Sequence, residues 1–220
     1  MMKSIKYVLL LGAMLSFAAC SEDDDSWDPY YNWRARNIAW FEQVADTART
    51  AIAQARAKYG SDWESHCDWR MYKSLLRNID QQGPLTDSIC VRILQRGKGT
   101  FSPAYTDQVV LNFRGWIMPT EYLDENNQKT SRMEIFTQTY YGDYDPKTAM
   151  PQQMIVGSTI EGYSTALQYM VEGDDWLVYI PAPLGYDDNE KTAIPAYSTL
   201  LFRLSVVGVY EGGVTIPIWK

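Results

Sequence analysis

From Trp33 to Tyr59 apolar residues return every three or four positions, with Ile38, Phe41, Ala45, Ala48, Ile52, Ala55 and Tyr59 on one face. Between them stand Arg34, Arg36, Glu42, Asp46, Arg49, Arg56 and Lys58. The pattern predicts an amphipathic helix, with Asn32 able to cap its start and Gly60 able to supply a left-handed stop. Such a helix is expected to pack on the domain that follows. Docking on a partner or a membrane surface is the alternative, and the mixed charges argue against a basic membrane helix. Residues 61–85 are less periodic: Trp69 to Leu76 reads as a strand or a short helix, and Gln81-Gln82-Gly83-Pro84 as a turn.

From Ser88 onward the period shortens to two. Ile89, Val91 and Ile93 alternate until Gly97-Lys98-Gly99 breaks the run. Gln108 to Ile117 reads as a second strand, Met133 to Phe136 as extended, Met154 to Val156 as a short strand, and Asp175 to Ile180 and Thr199 to Val209 as the last strong strands. Ser164 to Met170, followed by Gly173, is the one helix-like segment among them. One short helix among many short strands predicts an α+β domain built on an antiparallel sheet.

Composition narrows the function. Apolar residues make up 46% of the 220-residue chain, enough for a core. The net charge of −7 disfavours nucleic-acid binding, which needs a basic face to neutralise phosphates. At the start, Lys3 and Lys6 precede an apolar run from Tyr7 to Phe17, too short for a spanning helix, which needs roughly 20 residues. Ala18-Ala19-Cys20 then resembles the lipobox of bacterial lipoproteins, in which the Cys20 thiol is acylated. Residues 1–19 are therefore expected to be a lipoprotein signal peptide and residues 20–32 an acidic tether, through Ser21-Glu22-Asp23-Asp24-Asp25. The acidic run resembles the export tag of Bacteroidetes lipoproteins, with a plain solvated tether as the alternative. The expected location is the cell envelope, as an outer-membrane lipoprotein displayed on the surface, touching the membrane only through its lipid. Cys67 and Cys90 can either pair in an oxidising compartment or stay as free thiols, Cys90 within an apolar strand. His66 and Cys67 alone make no zinc site, and no metal or cofactor is expected.

Three segments, in order, resemble one family. Asp107 to Gly115 (DQVVLNFRG) is similar to the first central strand of the FKBP-type peptidyl-prolyl isomerases, or immunophilins. Val156 to Pro181 (VGSTIEGYSTALQYMVEGDDWLVYIP) is similar to their loop, helix and following strand. Gly185 to Val209 (GYDDNEKTAIPAYSTLLFRLSVVGV) is similar to their last loop and strand. The resemblance implies an FKBP-like curled antiparallel sheet of five or six strands around one short helix, in residues 86–210. Residues 33–85 would be a helical N-terminal extension and connector, and 211–220 a C-terminal tail.

The resemblance also implies a hydrophobic pocket between helix and sheet. Matched by position, its catalytic walls are Phe113, Phe136, Tyr163, Tyr186 and Phe202, and its substrate contacts are Ile160, Ile194, Thr137 and Gln152. Read without the family, Phe113, Ile160 and Phe202 are ordinary core positions, whereas Tyr186 follows a glycine in a turn, where packing seldom requires a ring. Gly115, Gly157, Gly162 and Pro195 fix turns and close approaches. The implied partners are proline-containing polypeptides and macrolide immunophilin ligands, bound by a monomer. Several positions depart from the family pattern: Thr137 replaces a pocket aspartate, Phe113 a tyrosine, Tyr163 a floor tryptophan and Gln152 an aromatic wall. A catalytically weak or inactive binding and chaperone module on the same scaffold is thus the alternative to a working isomerase.

Overall fold

The computed structural model describes residues 28–78 and 80–216; the expected signal peptide, Cys20 and the acidic run lie outside the described residues. A long helix α1 (Trp33–Tyr59) leads into a short 3-10 segment and then the strand β1 (Trp69–Lys73). Next come β2 (Ser88–Gln95), β3 (Gln108–Ile117), a hairpin of β4 (Thr120–Leu123) and β5 (Lys129–Arg132), β6 (Ile135–Gln138) and β7 (Gln152–Ile155). A short helix α2 (Glu161–Leu167), β8 (Asp175–Ile180) and β9 (Leu200–Tyr210) complete the order.

The fold is α+β. Seven strands make one antiparallel sheet, β1-β2-β8-β9-β3, with β6 and β7 sharing the far edge of β3. The ambiguous segment at residue 69 is a strand because its backbone pairs with β2, from Trp69 opposite Arg92 to Lys73 opposite Ser88. The sheet thus gains a strand ahead of residue 86 and exceeds the expected five or six.

Two-residue alternation splits the sheet into two faces. Ile89, Val91, Leu111, Phe113, Val178, Ile180, Phe202 and Leu204 point inward and meet Tyr163, Ala166 and Leu167 of α2 in the main core. The opposite face is covered by α1, where Phe41 and Ala45 pack on Cys90, Met71 and Tyr179. Burying Phe41 there contributes about 1.5–3 kcal/mol by area. A Cβ built on Gly162 would stand 2.4 Å from Ile180 Cγ2, so the small residue lets α2 lie close against β8.

The helix span Trp33–Tyr59 agrees with the sequence pattern, but its buried face differs at the ends. Ile38 is 46% exposed and Tyr59 is also exposed, whereas Trp33 and Asn37 are buried. Nor does Asn32 cap through its side chain: it adopts a left-handed backbone, and its carbonyl accepts the Arg36 N–H at 3.1 Å. The second helix begins at Glu161 rather than Ser164 and ends at Leu167, and β6 begins at Ile135 rather than Met133. Cys67 and Cys90 are both buried free thiols, so the pairing alternative falls. Burial pushes the Cys90 thiol up to about 12, which leaves it protonated and unreactive at neutral pH. His66 lies at the surface, 3.0 Å from the Asp62 carboxylate and stacked on the Tyr59 ring.

Candidate active site

The site is built around a missing side chain. Gly115 of β3 faces Thr137 on β6 and Phe202 on β9. A Cβ placed there would stand 2.7 Å from both Phe136 Cζ and Phe202 Cε1, and 2.9 Å from Thr137 Cγ2. The glycine therefore lets two rings lean together over the strand, edge to face, with centroids 5.4 Å apart. Tyr163, from α2, meets Phe202 at 4.9 Å and Phe113 at 6.5 Å, again edge to face. This arrangement sets the positive rim of one ring against the negative face of the next.

Phe113, Tyr163, Phe202 and Ile194 are buried in the main core. Phe136, Ile160 and Tyr186 are half-buried and pack against it, and Thr137 is half-buried beside Phe136. Gln152 is exposed on β7, opposite Leu111, and its neighbour Met154 packs on the core instead.

Tyr163 carries the one polar atom in the ring cluster. Its hydroxyl is buried with no hydrogen-bond partner, and burial pushes its phenol well above the ordinary range, so it stays neutral. Tyr163→Phe is expected to raise stability by about 1 kcal/mol, because an unpaired buried hydroxyl keeps its desolvation cost. Equilibrium unfolding in urea measures this, and a loss of stability would mean that the hydroxyl is hydrogen-bonded after all.

At the head of α2, Ile160 ends an extended segment at φ −61°, ψ 154°, and its carbonyl accepts the Ser164 N–H at 2.9 Å. The Ile160 N–H has no protein acceptor among the described residues. Glu161 fixes this corner. Its carboxylate accepts Arg77 Nε–H at 2.7 Å, Arg77 Nη2–H at 3.0 Å and the Ser74 hydroxyl at 2.6 Å.

The loop after β8 carries Tyr186 and Ile194, which pack against and within the same core. A 3-10 turn over Ala182–Leu184 delivers Tyr186, and a bridge between Lys191 and Ile194 closes the loop tip. Adjacent carboxylates in this part of the chain do not converge. Asp174 accepts the Gly97 and Val171 N–H groups, while Asp175 pairs with Arg203.

The sequence reading missed two contributors, Trp33 and Asn37, which bond to the loop stem at Ser198 and Thr199. Gly115, expected to permit a close approach, makes room for the rings. For Trp33 the available signal was its place at the head of the helix. Asn37, a polar residue on a helix, carries no signal that hydrophobic spacing can read.

A family model described as FKBP-type peptidyl-prolyl cis-trans isomerase matches residues 99–207. The macrophage infectivity potentiator of Trypanosoma cruzi is 26% identical over 130 residues, covering 59% of this chain and 57% of that protein. FK506-binding protein 1 of Aspergillus oryzae is 28% identical over 118 residues, covering 54% of this chain and 95% of its own length. A crystal structure of a peptidyl-prolyl cis-trans isomerase from Pseudomonas syringae is 21% identical and aligns with a TM-score of 0.43, covering 77% of this chain and 96% of that one. The chain thus spans little more than half the length of the Trypanosoma relative.

Proposed function

We infer that the chain is a member of the FKBP-type family and that its ring cluster is a peptidyl-prolyl isomerase site acting on proline-containing polypeptides. The observation that carries this reading is the assembly of Phe113, Phe136, Tyr163 and Phe202 into one edge-to-face cluster, three of its rings buried and Phe136 half-buried. A prolyl ring fits against such a surface because it is apolar and flat-sided.

Amide resonance sets a barrier of about 18–20 kcal/mol to rotation of the bond before proline. In the twisted transition state that resonance is lost, and the carbonyl oxygen carries less charge. An apolar surface that strips water from this carbonyl disfavours the planar ground state relative to the twisted one. The open Ile160 N–H is available to a neighbouring substrate carbonyl and would fix the chain while the bond turns. The chemistry uses no nucleophile. A thousandfold acceleration needs only about 4 kcal/mol.

The full chain is expected to accelerate proline-limited refolding and the chymotrypsin-coupled cleavage of proline peptides. Tyr186→Ala, which removes a half-buried ring, is expected to lower kcat/KM about tenfold, or about 1.4 kcal/mol. A trace no faster than buffer, beside an active control enzyme, would overturn the reading. Thr137 offers a hydroxyl where the family pattern has a carboxylate, and this favours a second reading, a binding module. That reading expects saturable binding of proline peptides or macrolides without acceleration.

The anchoring reading rests on residues outside those described. We propose that Cys20 is acylated and tethers the domain to the cell envelope. Radiolabelled palmitate should enter the wild-type chain and not Cys20→Ser; equal labelling of both would end that proposal.

A further inference from the structure

Two non-glycine residues in the loop after β8 hold left-handed backbone, Asp187 at φ 51° and Tyr197 at φ 62°. They are joined, because the Tyr197 N–H donates to the Asp187 carbonyl at 2.6 Å. A residue with a Cβ resists that region, and a bulky tyrosine resists it strongly, so the surroundings must hold the conformation. The segment between them follows Tyr186 directly and carries Ile194. Its pose therefore helps to set how both side chains pack against the main core that holds the rings.

The loop stem is held by α1. Trp33 donates its indole N–H to the Ser198 hydroxyl at 2.9 Å, and that hydroxyl donates to the Pro195 carbonyl at 2.6 Å. Asn37 Oδ1 accepts the Thr199 N–H at 2.7 Å, and the Asn37 carbonyl accepts the Thr199 hydroxyl at 3.2 Å. Asn37 Nδ2 donates back to the Trp33 carbonyl at 2.8 Å. Arg34 lies over the Tyr197 ring, 4.2 Å from its centre. Trp33, Asn37, Ser198 and Thr199 are all buried. A buried asparagine on a packing face is costly unless its amide is fully engaged. Helix docking alone would be served by an apolar residue at that position, so the amide answers to the loop.

We propose that Trp33 and Asn37 are positioning residues. They hold the stem Pro195–Thr199 so that the loop Asp187–Ile194 stays packed against the core that holds the ring cluster, and they thereby set which residues flanking a proline the site accepts. The consequence for substrate choice rests on the isomerase reading; the clamp itself rests on the hydrogen bonds.

The test compares Trp33→Phe and Asn37→Ala with Ala48→Gly in the full chain. Ala48→Gly weakens α1 further along the helix without touching the stem. Two quantities are read: amide hydrogen exchange across 187–199 without substrate, and kcat/KM for peptides with Ala, Leu, Phe or Glu before proline. Both clamp variants are expected to raise exchange in that loop by at least about tenfold while α2 and β3 stay protected. They are also expected to narrow the spread of kcat/KM across the peptides, and Ala48→Gly should do neither. The proposal is overturned by wild-type loop exchange in the clamp variants. The same changes in Ala48→Gly, or a peptide spread as wide as wild type in a loosened loop, overturn it equally. If the wild-type chain turns over no peptide, the isomerase reading falls and the exchange data alone decide the clamp.

Discussion

Gly115→Ala is expected to lower kcat/KM for proline peptides by about 100-fold, which corresponds to about 2.7 kcal/mol of transition-state stabilisation. The added methyl would stand 2.7 Å from two ring carbons, closer than carbon atoms approach one another. Phe202 cannot retreat, because it is buried among the core side chains of β9 and α2. Phe136 is half-buried on a four-residue edge strand, so it is the ring that swings outward. The site then loses a wall and admits water to its buried rings. Overpacking of this kind costs about 1–3 kcal/mol of stability, partly offset by the lower unfolded-chain entropy of alanine. The variant should therefore fold and fail catalytically. Peptide kinetics beside a urea melt separate the two effects. Wild-type kcat/KM in a folded Gly115→Ala protein would show that the Phe136–Phe202 pair is not the reacting surface.

The parts of the molecule that were legible in the sequence are those whose burial follows one period. Gln108–Ile117 was read as a strand over the same residues, because alternating Val, Leu and Phe leave little else for it to be. The span of α1 was read over the same residues for a similar reason. Its docking face was not, because its first turn is held by the indole of Trp33 and the amide of Asn37, and polar bonds to a distant loop leave no trace in hydrophobic spacing. The helix α2 was misplaced by three residues. At seven residues it spans only two turns, too few for a period to emerge, and its start is set by Ile160 and the bonds to Glu161.

The ring set was accessible through family resemblance and not through pattern. Phe113, Phe202 and Ile194 are as buried as any core residue, so a hydrophobicity argument alone assigns them to the core. What distinguishes Phe202 is Gly115 beside it, whose missing Cβ leaves room that Phe202, Phe136 and Thr137 fill. Two of the departures from the family pattern also become physical statements. Tyr163 brings a hydroxyl that finds no partner in its buried place. Thr137 brings a methyl group close to Gly115 where a carboxylate would have to be desolvated. The Thr137 change removes a charge from the cluster, whereas Tyr163 adds a polar group that burial keeps neutral.

Arg203→Met is expected to destabilise the fold by about 3–5 kcal/mol, a large share of the 5–15 kcal/mol that holds a typical domain together. Arg203 grips Asp175 with two nitrogens, Nε–H to Oδ1 at 3.0 Å and Nη2–H to Oδ2 at 2.6 Å. The Asp175 side chain is only 9% exposed, so removing the guanidinium strands a carboxylate that water cannot reach. The bond to Asp175 holds the Arg203 cation above its ordinary range. Arg203 also lies under the Tyr144 ring at 4.8 Å, and the Tyr144 and Ser205 hydroxyls are 2.8 Å apart. The pair thereby helps to seat the segment between β6 and β7 on the outer face of the sheet. Replacing both partners, as Asp175→Leu with Arg203→Met, should recover most of the loss, because no charge is then left behind. Urea unfolding of the two single variants and the double variant gives the coupling directly. A single-variant loss below about 1 kcal/mol would mean that water reaches Asp175 and that the pair is a surface one. A large loss recovered in the double variant would instead mean that β8 and β9 pay for their charges only when one of them is left alone.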